Sequence, residues 1–486
     1  MALPYQCLVA RAGQGTNLKD WSLFGASGSA LVAQSSNGIT SVWSEQDARR
    51  RDDQQDDQQD DDTQGPPVKR LKLEQPKEPK ANFTNLVLSN SGQYLIGVTG
   101  EDKCIRVFQI DAQNKLQQLS ERCMSRRPCS VTLTSDDSTI LCADKFGDVY
   151  ALPLLAPPAD DESGSRVTPQ PEPKEKDYTP AATALTVHSG RNRRTLEEQL
   201  KQKAKGVPKS KEAMKFHHEL LLGHVSMLTD IVYAKSGSRG YIITSDRDEH
   251  IRISRSQPQA HVIEGFCFGH EAFVSRLCLT QSGLLVSGGG DDYLCVWDWQ
   301  NYRLVGRLPI RNVALDHLVT RSEVTTAHVD AANFKGDEIL VACEGLPALF
   351  SFRIGTAGTG ATAIALDGNA LDVALVQSGL GSCMAVVSID NVHKPGSTTE
   401  GRADKNLSRL QCFSSQRAGH WQQDASMPEL LGGFESRSAG EVDGRKSGAQ
   451  AEEGMRPGSA DDKAVRATQT LYYHVENLRK RPGAED

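Results

Sequence analysis

A histidine, a hydroxyl and a carboxylate recur in the same order at two places: His224, Thr244 and Asp248, then His270, Ser287 and Asp291, with Trp297 after the second set. Such a trio can supply a nucleophile, its base and the group that orients the base. It can equally form a buried hydrogen-bonded chain, because polar side chains taken out of water must be paired. Asp248 and Asp291 hold the same register in a recurring pattern, at a tight turn, which favours a structural role for them and for His224 and His270. No Ser lies in a Gly-x-Ser-x-Gly elbow, and no His, Cys or carboxylate cluster has the spacing of metal ligands. Gly355-Thr-Ala-Gly-Thr-Gly360 lacks the strand–loop–helix setting of a dinucleotide loop, and Gly444-Arg-Lys-Ser447 lacks the Gly-Lys adjacency of a phosphate loop. No catalytic residue, metal or cofactor is therefore expected.

Two basic runs have their own chemistry. Lys69, Arg70 and Lys72, behind Pro66-Pro67, have the look of a nuclear import signal, the alternative being a solvated linker. Arg191, Arg193, Arg194, Lys201, Lys203 and Lys205 could approach RNA phosphates, although a disordered charged loop accounts for them equally well.

The elements that must position these residues show in a repeat. An acidic or Asn residue is followed five positions on by Val, Ile or Leu, at Asn37, Asp102, Asp144, Asp248, Asp291 and, weakly, Glu344. The steps from Asp102 to Asp144 and from Asp248 to Asp291 match the WD-repeat period of roughly 40–45 residues. Gly223-His224 and Gly269-His270 open the two clearest copies, and Trp297-Asp298 closes the second. The expected fold is all-β, a WD-repeat β-propeller of seven blades, the seventh within Ala361 to Val392. Polar stretches at about 45–78 and 157–216 read as disordered insertions, since loops absorb extra length. The propeller is expected over 1–394 and a mostly disordered tail over 395–486, broken at 470–480 by Leu471-Tyr-Tyr-His-Val475, a docking segment or a closing strand.

Composition narrows the class. The chain has 486 residues, 38% of them hydrophobic and 6% aromatic, so part of it is not expected to join a core. A net charge of -7 argues against a wholesale polyanion binder. Eleven cysteines without a Cys-x-x-Cys pair, several in apolar runs (Cys104, Cys142, Cys278, Cys295, Cys343), read as small buried hydrophobes in a reducing compartment. With no run of eighteen apolar residues, a soluble intracellular protein with no membrane partner is expected.

The stretches Leu222 to Asp230, Ile242 to Ser254, Ile263 to His270 and Phe273 to Ser275, above all Ser-Asp-Arg-Asp-Glu-His-Ile-Arg-Ile-Ser at 245–254, resemble the non-catalytic WD-repeat subunit of tRNA (guanine-N(7)-)-methyltransferase. The resemblance is dense from Leu222 to Asp298 and thin in the earlier blades. It implies a seven-bladed propeller that does no chemistry itself. By the same resemblance it is expected to bind and stabilise a separate S-adenosylmethionine-dependent catalytic subunit, as a heterodimer that makes N(7)-methylguanosine in the tRNA variable loop, and to touch tRNA indirectly or weakly. The resemblance also implies that Arg252 pairs with an acidic residue of the catalytic subunit. Asp246, Arg247 and Glu249, which a generic repeat would not dictate, belong to the same partner-binding set. The nucleus is the expected location. A general WD-repeat adaptor, such as a ubiquitin-ligase substrate receptor or a chromatin scaffold, is the alternative that the fold alone permits.

Overall fold

The computed structural model describes residues 3–13, 20–44, 81–155, 214, 216–317, 326–334, 336–355, 360–377, 382–403, 407–417, 419–424, 431–436 and 460–480. The chain divides into two compact units. Residues 156–217 form one, and nearly all of it lies outside the described residues, as do the stretch at 45–78 and the basic groups at 69–72 and 191–205. Residues 1–155 with 218–486 form the other, a seven-bladed propeller.

Each blade is a four-stranded antiparallel sheet. Blade 1 is β1 (Cys7–Ala12), β2 (Trp21–Ser27), β3 (Ala30–Ser35) and β4 (Thr40–Ser44). Blade 2 is β5 (Phe83–Leu88), β6 (Tyr94–Thr99), β7 (Cys104–Ile110) and β8 (Leu116–Cys123). Blade 3 is β9 (Pro128–Leu133), β10 (Thr139–Asp144), β11 (Asp148–Pro153) and β12 (Glu219–Gly223). Blade 4 is β13 (Leu228–Ser236), β14 (Arg239–Asp246), β15 (Ile251–Arg255) and β16 (Ile263–Cys267). Blade 5 is β17 (Val274–Leu279), β18 (Leu285–Gly289), β19 (Leu294–Asp298) and β20 (Arg303–Leu308), followed by helix α1 (Ile310–His317). Blade 6 is β21 (Thr326–Phe334), β22 (Gly336–Cys343), β23 (Ala348–Arg353) and β24 (Ala361–Ala365). Blade 7 is β25 (Ala370–Gln377), β26 (Cys383–Ile389), β27 (Leu410–Ser415) and β28 (Gln422–Gln423). Helices α2 (Gly432–Ser436) and α3 (Ala460–Tyr472) follow.

Central strands lie between two neighbouring blades and are covered on both faces, so their sequences are apolar without alternation: every residue of β2 and of β26 is buried. Outer strands have one wet face and alternate, as β20 does over Arg303–Leu308. The core is accordingly a ring of layers between blades, such as Ile243, Ile253, Leu285, Cys295 and Trp297 between blades 4 and 5.

Three expectations need correction. Asn37 lies between the third and fourth strands of blade 1, whereas the other repeat positions lie between the second and third; an Asn five residues before Val-Trp meets a short pattern out of phase. Ala361–Ala365 closes blade 6, and blade 7 runs on past 394 to Gln423, because its third strand follows a long turn. Cys104 is not a free thiol: it faces Cys123 on the adjacent strand and is bonded to it. Of the two readings of residues 470–480, docking segment or closing strand, the first is the one seen, as a helix end and a turn, Glu476–Leu478.

No described strand is shared between blades 1 and 7, so side chains close the ring. Leu8 N–H donates to Asp372 Oδ2 at 2.7 Å, and Tyr5 packs on Phe434 of α2 with centroids 4.6 Å apart. Phe434 O accepts from Tyr5 OH at 2.7 Å and from Arg409 Nη2 at 2.8 Å, while the Arg409 guanidinium lies over the Tyr5 ring.

Candidate protein interface

Blade 5 assembles the whole polar chain foreseen for it. Trp297 Nε1–H donates to Ser287 Oγ at 2.8 Å, Ser287 Oγ lies 2.6 Å from His270 Nε2, and His270 Nδ1 lies 2.6 Å from Asp291 Oδ2. Asp291 Oδ1 also accepts Glu271 N–H at 3.0 Å. All four side chains are buried, so each partner satisfies a group that water cannot reach. These residues are spent on holding the turn and have no room for a substrate.

Blade 4 departs from this plan. His224 Nε2 meets Thr244 Oγ1 at 2.9 Å, but its Nδ1 turns to the Gly147 carbonyl of blade 3 at 3.0 Å, not to Asp248. Burial first, then the nearby Arg252 charge, lowers the His224 pKa to about 4, so the ring is neutral at pH 7 and donates from Nδ1. Asp248 is part-exposed, 3.0 Å from Lys480 Nζ. The turn is instead capped by Asp246, expected at the partner surface but only 6% exposed. Its Oδ1 accepts the amides of Asp248 and His250, each at 2.9 Å. Asp144 and Asp390 cap the corresponding turns of blades 3 and 7 in the same way. The cap sits at the end of the second strand, two residues before the position that the repeat pattern marked in blade 4.

Arg252 lies on β15 between Ile251 and Ile253, which are 0% and 1% exposed, and alternation turns its side chain to the other face. The guanidinium is half-buried rather than projecting freely: Nε donates to Ser254 Oγ at 3.0 Å and Nη1 to Gly223 O at 2.9 Å. Burial lowers its pKa, yet a guanidinium stays charged at pH 7. Arg252 pairs across the sheet with Phe266, which stacks on Phe268 with centroids 5.5 Å apart, and His250 stands edge-on to both rings. Phe268 is 66% exposed. Val225, beside His224, and Phe146, beside the Gly147 to which His224 is bonded, are exposed too, with the Arg126 guanidinium 4.5 Å from the Phe146 ring centroid. Leu220 on β12 and Ile263 on β16 are also exposed apolar side chains on the outer strands of these two blades. Sequence reasoning missed Phe146, Val225, Phe266 and Phe268: Phe146 falls in a different repeat, and Phe266 and Phe268 come beside Arg252 and His250 only through the pairing of β15 with β16.

Arg247 and Glu249 are engaged by the chain's own C-terminal segment. Arg247 Nε–H donates to Leu478 O at 2.9 Å, and Glu249 Oε1 lies 3.2 Å from Lys480 Nζ. That segment crosses the turns of four blades in succession. At blade 7, Tyr473 OH donates to Asp390 Oδ2 and accepts from Asn369 Nδ2, while His393 joins Asp390 through Nδ1 at 2.7 Å and Val465 O through Nε2 at 3.2 Å. At blade 6, Glu344 accepts the amides of Val475 and Glu476 at 3.0 and 2.9 Å. At blade 5, Arg479 lies over Phe273 and donates to Gly290 O.

Burial alone would raise the Asp390 pKa, but the bonds from His393 and Tyr473 outweigh it and hold this carboxyl below its ordinary 3.8. A carboxyl depressed on folding contributes stability that is present above the unfolded value of about 4 and is lost as pH falls through the folded value. The C-terminal segment should therefore come loose below about pH 4. Amide hydrogen exchange over residues 465–478 should accelerate there before the blades open, and Asp390→Asn should flatten the dependence; uniform exchange across the whole chain would contradict it.

The family model of the tRNA methyltransferase TRM82 WD40 domain matches residues 23–413. The chain is 59% identical to the tRNA (guanine-N(7)-)-methyltransferase non-catalytic subunit TRM82 of Phaeosphaeria nodorum, with all of both chains covered. It is 36% identical to the protein of that name from Aspergillus oryzae, over 100% of this chain and 99% of that one. Among solved structures, the RRP9 WD40 repeats superpose with a TM-score of 0.49 and 13% identity, over 84% of this chain and 93% of that one. Coverage of four-fifths of the chain by one family model, and of the whole chain by relatives well above 30% identity, leads to one conclusion: the chain belongs to the TRM82 WD40-domain family.

Proposed function

We propose that this chain binds and stabilises the S-adenosylmethionine-dependent catalytic subunit of tRNA guanine-N(7) methyltransferase as a heterodimer. In that role it supports N(7)-methylguanosine formation in the tRNA variable loop, contributes no catalytic group, and meets tRNA indirectly or weakly. The names of the relatives, each a non-catalytic subunit of the methyltransferase, support the complex. The observation that carries the docking reading is the surface on blades 3 and 4, where Phe266 and Phe268 lie beside Arg252 while Val225 and Phe146 stand exposed next to the bonded pair His224 and Gly147. Grouped exposed aromatic side chains beside an arginine are what protein interfaces are built on.

Co-purification of the two subunits, with N(7)-methylguanosine mapped in tRNA from cells lacking this chain, tests the reading. Recovery of a ubiquitin-ligase or chromatin component in place of a methyltransferase would favour the adaptor reading. Val225→Ser with Phe268→Ser should weaken the complex about 10- to 100-fold, as loss of interface anchors does. Because both residues are exposed, thermal unfolding of the free chain should stay within a few degrees.

We further propose that the protein accumulates in the nucleus through Lys69, Arg70 and Lys72. A fluorescent fusion with all three changed to Ala should lose its nuclear enrichment; retained enrichment would point to entry with the partner.

A further inference from the structure

The C-terminal segment is held unevenly along its length. Its root is buried: Tyr473 and Val475 are 8% and 6% exposed, and the Asp390 and His393 side chains that they cover are 0% exposed. Its tip, Leu478 to Lys480, is held by a hydrogen bond from Arg247, by Arg479 lying over Phe273 and donating to Gly290 O, and by ion pairs in which Lys480, Asp248 and Glu249 are 50%, 39% and 37% exposed. Exposed pairs of this kind are worth little and are readily exchanged.

The turn beneath the tip is the one that leads into β15 and Arg252. Asp246 caps it, Glu249 closes it at φ +71°, and the Arg247, Asp248 and Glu249 side chains all face the tip. His250, next in the chain, stands against Phe266 and Phe268. Any protein that covers Arg252 and these rings must also meet this turn, which the tip already occupies.

We propose that the tip, Leu478 to Lys480, is an intramolecular occupant of the partner-docking turn, displaced when the catalytic subunit binds while the root from Val465 to Glu476 stays in place. This rests on the docking reading above and adds its regulation. The tip offers the turn a carbonyl for Arg247 and a cation for Asp248 and Glu249, so the displacing segment must bring the same pair: an acceptor and a basic side chain. Occupation by the tip lowers the apparent affinity by the fraction of chains in which the turn is covered.

The test is the dissociation constant of the purified catalytic subunit for the full chain and for its Lys480→Glu and Lys480→Ala variants, with Tyr473→Phe as a root control. Both Lys480 variants are expected to bind about three- to tenfold more tightly, and Lys480→Glu most tightly, since its carboxylate is repelled by Asp248 and Glu249. Hydrogen exchange in the complex should show faster exchange at 478–480 and unchanged protection at 465–476. Equal affinity of the wild type and the variants, or weaker binding by the variants, overturns the inference and leaves the docking reading standing. Absence of binding by the wild type and every variant overturns the docking reading itself.

Discussion

Arg252→Glu should abolish the stable complex with the methyltransferase subunit, and with it N(7)-methylation of tRNA in cells, while the propeller stays folded. The guanidinium already makes two bonds within the chain, to Ser254 Oγ and Gly223 O, and these hold it in one orientation beside Phe266. An arginine oriented in advance loses little freedom on docking, and an incoming carboxylate becomes partly desolvated against the rings. Truncating one member of such a pair costs about 2–5 kcal/mol, or roughly 30-fold to several thousandfold in affinity. Reversing the charge costs more, because two carboxylates then face each other. Within the free chain the change removes two part-exposed hydrogen bonds, each worth about 1 kcal/mol, so the melting temperature should fall by only a few degrees. Arg252→Lys should be intermediate, since an ammonium cannot span Ser254, Gly223 and a partner at once. An acidic-to-basic change on the partner should restore part of the binding to Arg252→Glu. If the variant unfolds, or co-purifies as the wild type does, Arg252 serves blade 4 alone and the interface lies elsewhere.

Trp297→Ala should have the largest effect on stability of the substitutions considered. The indole is 0% exposed, packs between blades 4 and 5, and starts the chain of bonds through Ser287 and His270 to Asp291. Emptying a buried aromatic site costs about 3–5 kcal/mol from lost burial and the cavity left behind, a large part of a total that is typically 5–15 kcal/mol. In a chain of this size that is a fall of roughly 10 °C in melting temperature. Trp297→Phe keeps most of the volume and loses the N–H, so the Ser287 hydroxyl gives up one bond and the cost drops to about 1–2 kcal/mol. The contrast with blade 4 is sharper still: Asp291→Asn leaves one oxygen for two donors, His270 and the Glu271 amide, whereas Asp248→Asn touches only part-exposed contacts with Lys480, Ser226 and Arg247 and should cost much less. Chemical denaturation of the four variants measures this. Equal losses from Asp248→Asn and Asp291→Asn would mean that the two blades share one network after all.

Blade 5 was legible in the sequence because all its signals are local. Gly269-His270, Ser287, Asp291 and Trp297 fall within one repeat, and burying that set leaves one way to satisfy every polar atom. Blade 4 looked the same and was not. Its Ser254 stands where blade 5 has Trp297, so no indole donates to Thr244, and the Nδ1–H of His224 donates to Gly147 O, far away in sequence and in a different blade, while Nε2 meets the Thr244 hydroxyl. Asp246 was placed with the surface charges because one Asp of the pair flanking Arg247 had to be the cap, and the repeat register pointed to Asp248. Cys104 lay in an apolar run and read as a buried thiol; its pairing with Cys123 follows from the register of β7 against β8, which no spacing along the chain reveals.

By itself, then, the sequence determined the all-β repeat architecture, the apolar central strands and the resemblance centred on Ser245 to Ser254, all of which depend on residues close together in the chain. Only the tertiary structure decided which side chains share a surface. Pairing of β15 with β16 sets Phe266 and Phe268 beside Arg252, closure of the ring seats Phe434 on Tyr5 at the seam, and the C-terminal segment carries Tyr473 to Asp390 and Lys480 to Asp248 and Glu249. Those contacts join residues that are up to hundreds of positions apart in the chain, and their partners are set by the twist and packing of seven sheets around one axis rather than by any local pattern of residue types.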